Sequence, residues 1–180
     1  MKACQDIKKF FIFFMILILS FLGVIFFGFI YPVKYKYNNI INRASERYNV
    51  QKELICAMIK AESNFNQDAH SHANAQGLMQ ITPETFEWLR DYYTHEKNLD
   101  ISGIKNPETN IFYGSLLISI LLKKYNYDEE IALGAYNAGI TTIERWKNNN
   151  NLDYIPYKET RNYIKKVKLF KKIYQIFYFN

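Results

Sequence analysis

Residues 52–62 read Lys52-Glu53-Leu54-Ile55-Cys56-Ala57-Met58-Ile59-Lys60-Ala61-Glu62. Apolar side chains recur in this stretch at spacings of three and four residues, which places Leu54, Ile55, Met58 and Ile59 on one face. This is the period of an α-helix with one face toward a core, so the stretch predicts a helix over residues 52–62. A carboxyl, that of Glu62, stands at the end of the helix and leans toward the inward face, four residues after Met58.

The chain after residue 33 carries the same helical spacing elsewhere. No segment shows the sustained alternation that strands require, so we expect an all-α fold. Capping residues followed by proline open two helices, at Thr82-Pro83 and Asn106-Pro107, while Asp128 caps a third helix that Gly139 ends. The further predicted helices cover residues 39–48, 84–93, 107–124, 129–138, 141–147 and 157–177.

Composition limits the classes of protein that the chain can represent. It has 180 residues, 49% hydrophobic and 22% charged side chains, and a formal net charge of +6. Residues 10–33 carry no charge, and the 147 residues that follow suffice for one domain with its own core. Lysines and arginines are interspersed with acids and form no arginine-rich arm, so we expect no nucleic-acid partner. A lysine-rich run in the last predicted helix, which includes Lys166, is expected to form a solvated face, and contact with lipid headgroups or an anionic polymer is the alternative.

The apolar segment 10–33 predicts a membrane anchor. It exceeds the about 20 residues that a membrane-spanning helix needs, and it is longer than the apolar core of a removable signal peptide. No small-x-small cleavage site follows it, and Cys4 precedes it, whereas a lipoprotein cysteine would follow it. We expect a single-pass signal anchor in the cell membrane with the domain outside the cytoplasm, although the lysines and arginines on its two sides nearly balance. The predicted organisation is a short cytoplasmic tail at 1–9, the anchor at 10–33, a linker and first helix at 34–47 and the domain at 48–180.

The cysteines and histidines provide neither a disulfide framework nor a metal site. Cys4 and Cys56 lie on opposite sides of the predicted anchor, and Cys56 falls in an apolar helical pattern typical of a buried thiol. His70 and His72 are two residues apart in a loop without a third ligand nearby, which is poor support for metal binding. We therefore expect no metal and no cofactor.

Glu62 taken alone has two interpretations. Partial burial against apolar neighbours would raise the pKa of its carboxyl and keep it protonated near neutral pH, as a general acid requires. A glutamate at the end of a helix is also common on a protein surface, and the helix alone favours that second interpretation. The loop that follows, residues 63–81, lacks periodicity and is rich in small and amide side chains, which is typical of functional loops between rigid helices.

Glu62-Ser63 is followed by four further motifs in a fixed order. They are Gly77-Leu78-Met79-Gln80, Asn106-Pro107 with Asn110-Ile111, Ala135-Tyr136-Asn137-Ala138-Gly139 and Glu159-Thr160-Arg161. The ordered set, which spans about residues 48–174, resembles the lytic transglycosylases of the soluble-lytic-transglycosylase (SLT) type in the lysozyme-like superfamily. The resemblance implies a helical, goose-type lysozyme-like fold and an enzyme that cleaves peptidoglycan, a lyase acting on polysaccharide.

The resemblance also implies roles for single residues. Glu62 would be the one catalytic acid and base. The positions that would line the cleft and bind substrate are Ser71, Gln80, Tyr136, Asn137 and Glu159. The positions that would form a structural loop are Gly77, Leu78 and Met79. Without the resemblance, Tyr136 would be assigned to the core and Asn137 to a backbone hydrogen bond near a helix end. Gln80 and Glu159 would be ordinary solvated polar residues.

Three positions depart from the family pattern. Asn74 stands where glycine is common, and asparagine enters the left-handed backbone region more readily than most residues. Ile140 replaces a frequent proline, which affects a helix junction only. Thr82 replaces a larger side chain near the cleft, so the substrate preference stays open.

The sequence offers no obvious second carboxylate to work with Glu62, since Asp68 matches no catalytic position of the family. Glycosidases ordinarily use two carboxylates, so the resemblance implies a substrate-assisted cleavage between N-acetylmuramic acid and N-acetylglucosamine that leaves a 1,6-anhydro end. The implied partners are the glycan strand, the membrane and, more loosely, proteins of the envelope or cell-wall machinery. Two alternatives stay open: a hydrolytic muramidase of goose-lysozyme type, and a peptidoglycan-binding scaffold without turnover.

Overall fold

The computed structural model describes residues 2–93, 101–148 and 155–177. Within these ranges every regular element is a helix, and extended backbone pairs only at two isolated bridges, which join Gln76 to His70 and to Ile81. The predicted all-α fold is therefore confirmed. The chain divides into two compact units, Met1–Asn38 and Asn39–Asn180. The finer boundaries expected at residues 9, 33 and 47 remain predictions.

The first unit is a long apolar helix. Helix α1, Lys2–Ile25, continues into two π-helical turns, Phe26–Ile30 and Pro32–Tyr37. The segment Ile7–Phe29, 23 residues long, has the length and composition needed to cross a membrane. Helical backbone begins ahead of the predicted apolar segment because lysine and glutamine are themselves good helix formers, so charge marks the limit of the apolar span and not of the helix.

Every helix that the spacing predicts after the apolar segment is present, with ends within one residue of the expected ones. They are α2 (Asn38–Tyr48), α3 (Lys52–Glu62), α4 (Pro83–Tyr93), α5 (Pro107–Lys124), α6 (Glu129–Ala138), α7 (Ile140–Asn148) and α8 (Lys158–Phe177). One short 3-10 turn, Ile101–Lys105, was not predicted, since five residues are too few for a periodic pattern. Residues 94–100, 149–154 and 178–180 of the predicted domain lie outside the described ranges.

The helix starts follow the capping chemistry read from the sequence. The Asn106 side chain accepts hydrogen bonds from the backbone N–H groups of Glu108 (2.9 Å) and Thr109 (3.2 Å), at the start of α5. Asp128 accepts one from the N–H of Ile131 at 3.0 Å, which satisfies a donor that the first turn of α6 leaves free. The other end of α6 is at Gly139, whose φ of +87° lies in the region that favours glycine.

Helix α3 is the centre of the domain. The sequence predicts one inward face, but all six residues from Leu54 to Ile59 are buried, and Cys56 and Ala57 between them are fully inaccessible. The reason is that α3 packs along α8 and is also covered by other parts of the domain, so it has no solvent face in its middle. A central helix of this kind provides a rigid support for the residue at its end, Glu62.

Candidate active site

Glu62 is the last residue of α3, at the point where the chain leaves the core. The backbone N–H of Ser63 still donates to the carbonyl of Ile59 at 3.1 Å, and then Asn64 (φ +52°) and Phe65 (φ +62°) turn the chain through the left-handed region. The Ser63 hydroxyl donates to the carbonyl of Leu78 at 2.8 Å. The helix end is thereby tied to the loop that follows it.

The carboxyl of Glu62 is half-buried, and its surroundings favour the neutral form. Burial raises the pKa of this carboxyl from 4.5 to about 7, because the charged form loses hydration. The nearby Tyr163 hydroxyl and the positive charge of Lys166 act in the opposite direction, since both favour the carboxylate. The Lys166 ammonium donates a hydrogen bond to the carbonyl of Ala61 at 2.7 Å, next to Glu62 in the chain. The carboxyl is therefore able to exchange a proton near neutral pH.

Two tyrosines belong to the environment of Glu62. The Tyr136 hydroxyl donates to the carbonyl of Met79 at 2.7 Å, and burial and the charge of Glu62 raise its pKa. Burial, followed by the charge of Glu62, likewise raises the pKa of Tyr163. The buried Tyr163 hydroxyl lies outside strict hydrogen-bond geometry with every group in the described part of the chain, although it is close enough to influence the carboxyl. Both phenols stay protonated and can donate.

The loop beside Glu62 is held by one asparagine of α5. The Asn110 side chain accepts from the N–H of Met79 at 2.7 Å and donates to the carbonyls of Gln76 (2.8 Å) and Ile104 (2.9 Å). Gly77 has φ +77°, and a Cβ there would lie 2.4 Å from the Asn110 amide nitrogen. Only glycine therefore fits this approach without a shift of the loop. The two following loop residues are fully buried: Leu78 and Met79.

Ser71 and Gln80 lie in the same loop, and the side chain of each forms hydrogen bonds with backbone groups of that loop. The Ser71 hydroxyl oxygen accepts from the N–H of Ala75 at 3.1 Å. The Gln80 amide nitrogen donates to the carbonyls of Gly77 (2.9 Å) and Ala69 (3.2 Å). These bonds fix the shape of the loop, and contact of either side chain with substrate stays a prediction.

The structure brings Asn137 and Glu159 together at one pocket. This pocket has a volume of about 390 Å³. It is lined by the end of α6, by the start of α8 and by Tyr157, which precedes α8 in the chain. Tyr136, the neighbour of Asn137 in sequence, lines a different pocket of about 180 Å³. The cleft-lining positions expected from the sequence thus lie on the loop (Ser71 and Gln80), at the end of α6 (Tyr136 and Asn137) and at the start of α8 (Glu159).

The histidine-containing loop has its own internal bonds. The Nε2 atom of His70 lies 2.9 Å from the amide oxygen of Asn74, and Asn74 adopts the left-handed φ of +61° that its side chain tolerates. Within residues 2–93, 101–148 and 155–177, no group of three or more histidine, cysteine, aspartate or glutamate side chains is placed to hold a metal ion. The expectation that the chain needs no metal stays a prediction.

The sequence predicts no role near Glu62 for three side chains that shape its environment, although one of them, Asn110, belongs to a motif noted above. Tyr163 and Lys166 lie on α8, about 100 residues further along the chain, and Asn110 lies on α5. The sequence does indicate that Tyr163 is buried, since the helical spacing of α8 places it on the inward face. Lys166 follows Tyr163 by three residues and is exposed, as expected for the lysine-rich run, but its ammonium also bonds to the carbonyl of Ala61.

The domain is helical and carries a half-buried carboxyl at the end of its central helix. Comparison with known families shows which class of protein has these features. Residues 39–155 match the family model described as Transglycosylase SLT domain. This match covers more than half of the chain, so the chain belongs to the SLT domain family.

Named relatives include soluble and membrane-bound proteins. The putative soluble lytic murein transglycosylase of Haemophilus influenzae is 33% identical over 152 residues, which cover 78% of this chain and 25% of that protein. The membrane-bound lytic murein transglycosylase C of Glaesserella parasuis is 29% identical over 169 residues, covering 78% of this chain and 46% of the relative. This chain therefore spans about a quarter of the soluble relatives and just under half of the membrane-bound ones.

Solved structures show the same fold. The 70-kDa soluble lytic transglycosylase of Escherichia coli matches with a TM-score of 0.74 and 26% identity, over 82% of this chain and 25% of that protein. An inactive mutant of the lytic transglycosylase Slt from Pseudomonas aeruginosa matches with a TM-score of 0.69 and 26% identity, over 80% of this chain and 24% of that one. The shared part is the helical domain that carries Glu62.

Proposed function

We propose that the chain is a membrane-associated peptidoglycan lytic transglycosylase. It would cleave the β-1,4 bond between N-acetylmuramic acid and N-acetylglucosamine and leave a 1,6-anhydro end. The names of the relatives support the reaction class. The observation that carries the proposal is the Glu62 carboxyl, whose pKa of about 7 lets it act as an acid and then as a base at neutral pH.

In the first step Glu62 acts as the general acid. Its proton passes to the bridging oxygen, the bond from that oxygen to C1 of the muramic acid breaks, and the N-acetylglucosamine leaves with a hydroxyl. The carbonyl oxygen of the muramic 2-acetamido group bonds to C1 and takes the place of an enzyme nucleophile. Proximity within the sugar makes this attack effective without a second carboxylate.

In the second step the Glu62 carboxylate acts as the base. It takes the proton of the C6 hydroxyl of the same muramic acid, O6 attacks C1, and the bond from C1 to the acetamido oxygen breaks. The 1,6-anhydro ring closes, no water is consumed, and Glu62 regains its proton. Lys166 and Tyr163 stabilise the carboxylate between the two steps, since both lower the pKa of Glu62.

A single carboxyl fits the surroundings of Glu62. In the described part of the chain, none of the interactions that shift its pKa comes from another acidic side chain. Asp68 is exposed and lines a small pocket of about 110 Å³ with His70 and Lys105. We therefore assign the acid and base roles to Glu62 alone, and substrate contacts to Tyr136, Asn137, Glu159, Ser71 and Gln80.

We assign the chain to the cell membrane as a single-pass protein with its helical domain outside the cytoplasm, where peptidoglycan lies. The apolar segment Ile7–Phe29 and the membrane-bound relatives support the membrane association. Protease accessibility of the domain in intact and permeabilised spheroplasts tests the orientation. Protection of the domain until the membrane is permeabilised would contradict it.

Mass analysis of products from purified sacculi tests the reaction itself. The full chain in detergent should release muropeptides that end in 1,6-anhydro-muramic acid. Glu62→Gln should lower the release by several orders of magnitude, because it removes the proton and leaves the volume almost unchanged. Glu46→Gln, an exposed carboxyl on α2, should leave it unchanged and serves as the matched control. Reducing muramic ends would identify a hydrolytic muramidase instead, and binding without release would identify a scaffold.

A further inference from the structure

The lysine-rich run of α8 divides into lysines that are engaged within the domain and lysines that are not. Lys168 and Lys171 form ion pairs with two glutamates of α6, and the Lys166 ammonium bonds to a carbonyl of α3. Lys165 and Lys172 are exposed, and neither forms an ion pair or a hydrogen bond with the described part of the chain. The charges of these two lysines are therefore available to a partner.

The two available lysines share one side of α8 with exposed aliphatic side chains. Residues four, seven and eleven positions apart lie along one line of a helix. We call this line the α8 stripe, and it consists of Lys165, Leu169, Lys172 and Ile176. Leu169 is 58% exposed and Ile176 is 52% exposed. A single exposed leucine is ordinary on a protein surface, but here basic and aliphatic side chains alternate over about 17 Å.

The alternation in the α8 stripe matches the surface of an anionic membrane. The stems of lysines lie along apolar surface while their ammonium groups reach lipid phosphates. The aliphatic side chains between them gain free energy when they leave water for the boundary between headgroups and acyl chains. A hydrated anionic polymer could pair with the lysines, but it would offer the aliphatic side chains no apolar surface.

The same composition argues against a second copy of the chain as the partner. The α8 stripe contains no acidic side chain, so two stripes packed together would bring unpaired lysines close to one another. Like charges that face each other across an interface oppose association. An anionic lipid surface supplies the opposite charge instead.

The opposite side of α8 is committed to the domain core. Val167 and Tyr174 are fully buried there, and the helix packs along α3. Helix α8 can therefore offer lipid its outer stripe without leaving the domain. The proposed anchor also makes a weak contact effective, because a domain tethered by Ile7–Phe29 stays at high local concentration beside lipid.

We propose that the α8 stripe docks the helical domain on an anionic lipid surface, with its lysines on headgroup phosphates and its aliphatic side chains at the acyl boundary. This inference rests on the membrane association in the proposed function and not on the reaction. A second contact with the membrane would limit how far the tethered domain turns. Because α8 packs along α3, docking would also restrict the orientations of the Glu62 carboxyl relative to the membrane.

A nitroxide label at position 176 of the full chain in lipid vesicles tests the docking. Ile176→Cys carries the label in a Cys4→Ser background, and Cys56 is buried. Oxygen concentrates in the bilayer, so the accessibility of the label to oxygen and to a water-soluble nickel chelate measures the ratio of docked to undocked domain. This ratio should be high in vesicles with about a third phosphatidylglycerol and should fall in phosphatidylcholine alone or in about 0.5 M salt. A label at Glu87→Cys, an exposed position on α4, should stay in water throughout.

Removal of charge gives a matched comparison in the anionic vesicles. Lys165→Gln combined with Lys172→Gln should lower the docking ratio about thirtyfold, since each lysine near an anionic surface contributes about fivefold. Lys105→Gln combined with Lys123→Gln removes the same charge from exposed positions elsewhere and should leave the ratio unchanged. Equal effects of the two double variants would show that only the net charge matters, which would overturn the role of the α8 stripe.

The label also separates the other possible partners. A label that stays in water in anionic vesicles would overturn the docking, and so would equal burial in both kinds of vesicle. Protection that is lost when each vesicle holds one chain would assign the α8 stripe to a second copy. Protection by a soluble anionic polymer in place of lipid would assign it to the cell wall. Either of these two results would overturn the proposal.

Failure of the proposed function is seen in different measurements. Chains that do not float with the vesicles would contradict the membrane association, and sacculi that yield no 1,6-anhydro ends would contradict the reaction. Chains that float with the vesicles while the label at position 176 stays in water would contradict the α8 docking alone.

Discussion

The Lys166 ammonium donates a hydrogen bond to the carbonyl oxygen of Ala61 at 2.7 Å. This carbonyl belongs to the last turn of α3, where carbonyl groups have no partner within the helix. The bond satisfies one of them and attaches α8 to the end of α3. It also places a positive charge near Glu62, which opposes the effect of burial on the carboxyl. The same lysine therefore has a structural and an electrostatic effect on the site.

The activity should fall as pH rises through about 7. The proposed first step needs the protonated carboxyl of Glu62, and burial raises the pKa of that group to about 7. Above that pH, kcat/KM should decrease about tenfold per pH unit because the acid is lost in the free enzyme. Rates of muropeptide release between pH 3.5 and 9 measure this. A decrease centred near pH 4.5 would show that Glu62 has an ordinary pKa.

Glu62→Gln should stabilise the fold at alkaline pH. Between pH 4.5 and about 7 the folded chain holds a proton on Glu62 that the unfolded chain has lost, so the stability of the parent falls with rising pH over this window. The variant has no such titrating group at position 62. Its free energy of unfolding should therefore exceed that of the parent by near zero at pH 4.5 and by at most about 3 kcal/mol above pH 7. Denaturation midpoints of both proteins at pH 5 and 8 measure it. An advantage that does not change with pH would contradict the burial of the carboxyl.

Lys166→Met should move the loss of activity to higher pH. The positive charge of Lys166 lowers the pKa of Glu62. Methionine removes this charge and keeps a side chain of similar length, so the pKa of Glu62 should rise further. Lys172→Met on the same helix is the matched control, because Lys172 is exposed like Lys166 but is not among the groups that shift the pKa of Glu62. The measurement is the pH profile of kcat/KM for the three proteins. Identical profiles for Lys166→Met and the parent would show that this lysine has no electrostatic effect on Glu62.

Asn110→Ala should destabilise the domain more than Asn106→Ala. The first change removes three hydrogen bonds and leaves a buried N–H and carbonyls without partners, which costs about 3 kcal/mol or more. The second removes a helix cap, which costs about 1 kcal/mol. Chemical denaturation compares the two variants. Equal costs would show that Asn110 is not what holds the loop beside Glu62.

The helices and the position of the catalytic candidate followed from the sequence. Apolar spacing and capping residues are local signals, so the ends of α3, α5 and α6 were placed within one residue. The order of short motifs gave the family, because each motif occupies a fixed place on that helical frame. The helix alone favoured an ordinary surface glutamate at position 62, and the ordered motifs assigned that residue the role of candidate acid.

Only the tertiary structure decided what surrounds that carboxyl. Tyr163 and Lys166 reach Glu62 from a helix about 100 residues away, and Asn110 reaches the loop from another, so no local pattern records these contacts. The complete burial of the middle of α3 likewise depends on helices that pack around it. A pKa depends on distance and hydration in three dimensions, and packing sets both. The sequence alone could therefore locate the candidate acid but could not determine its charge state.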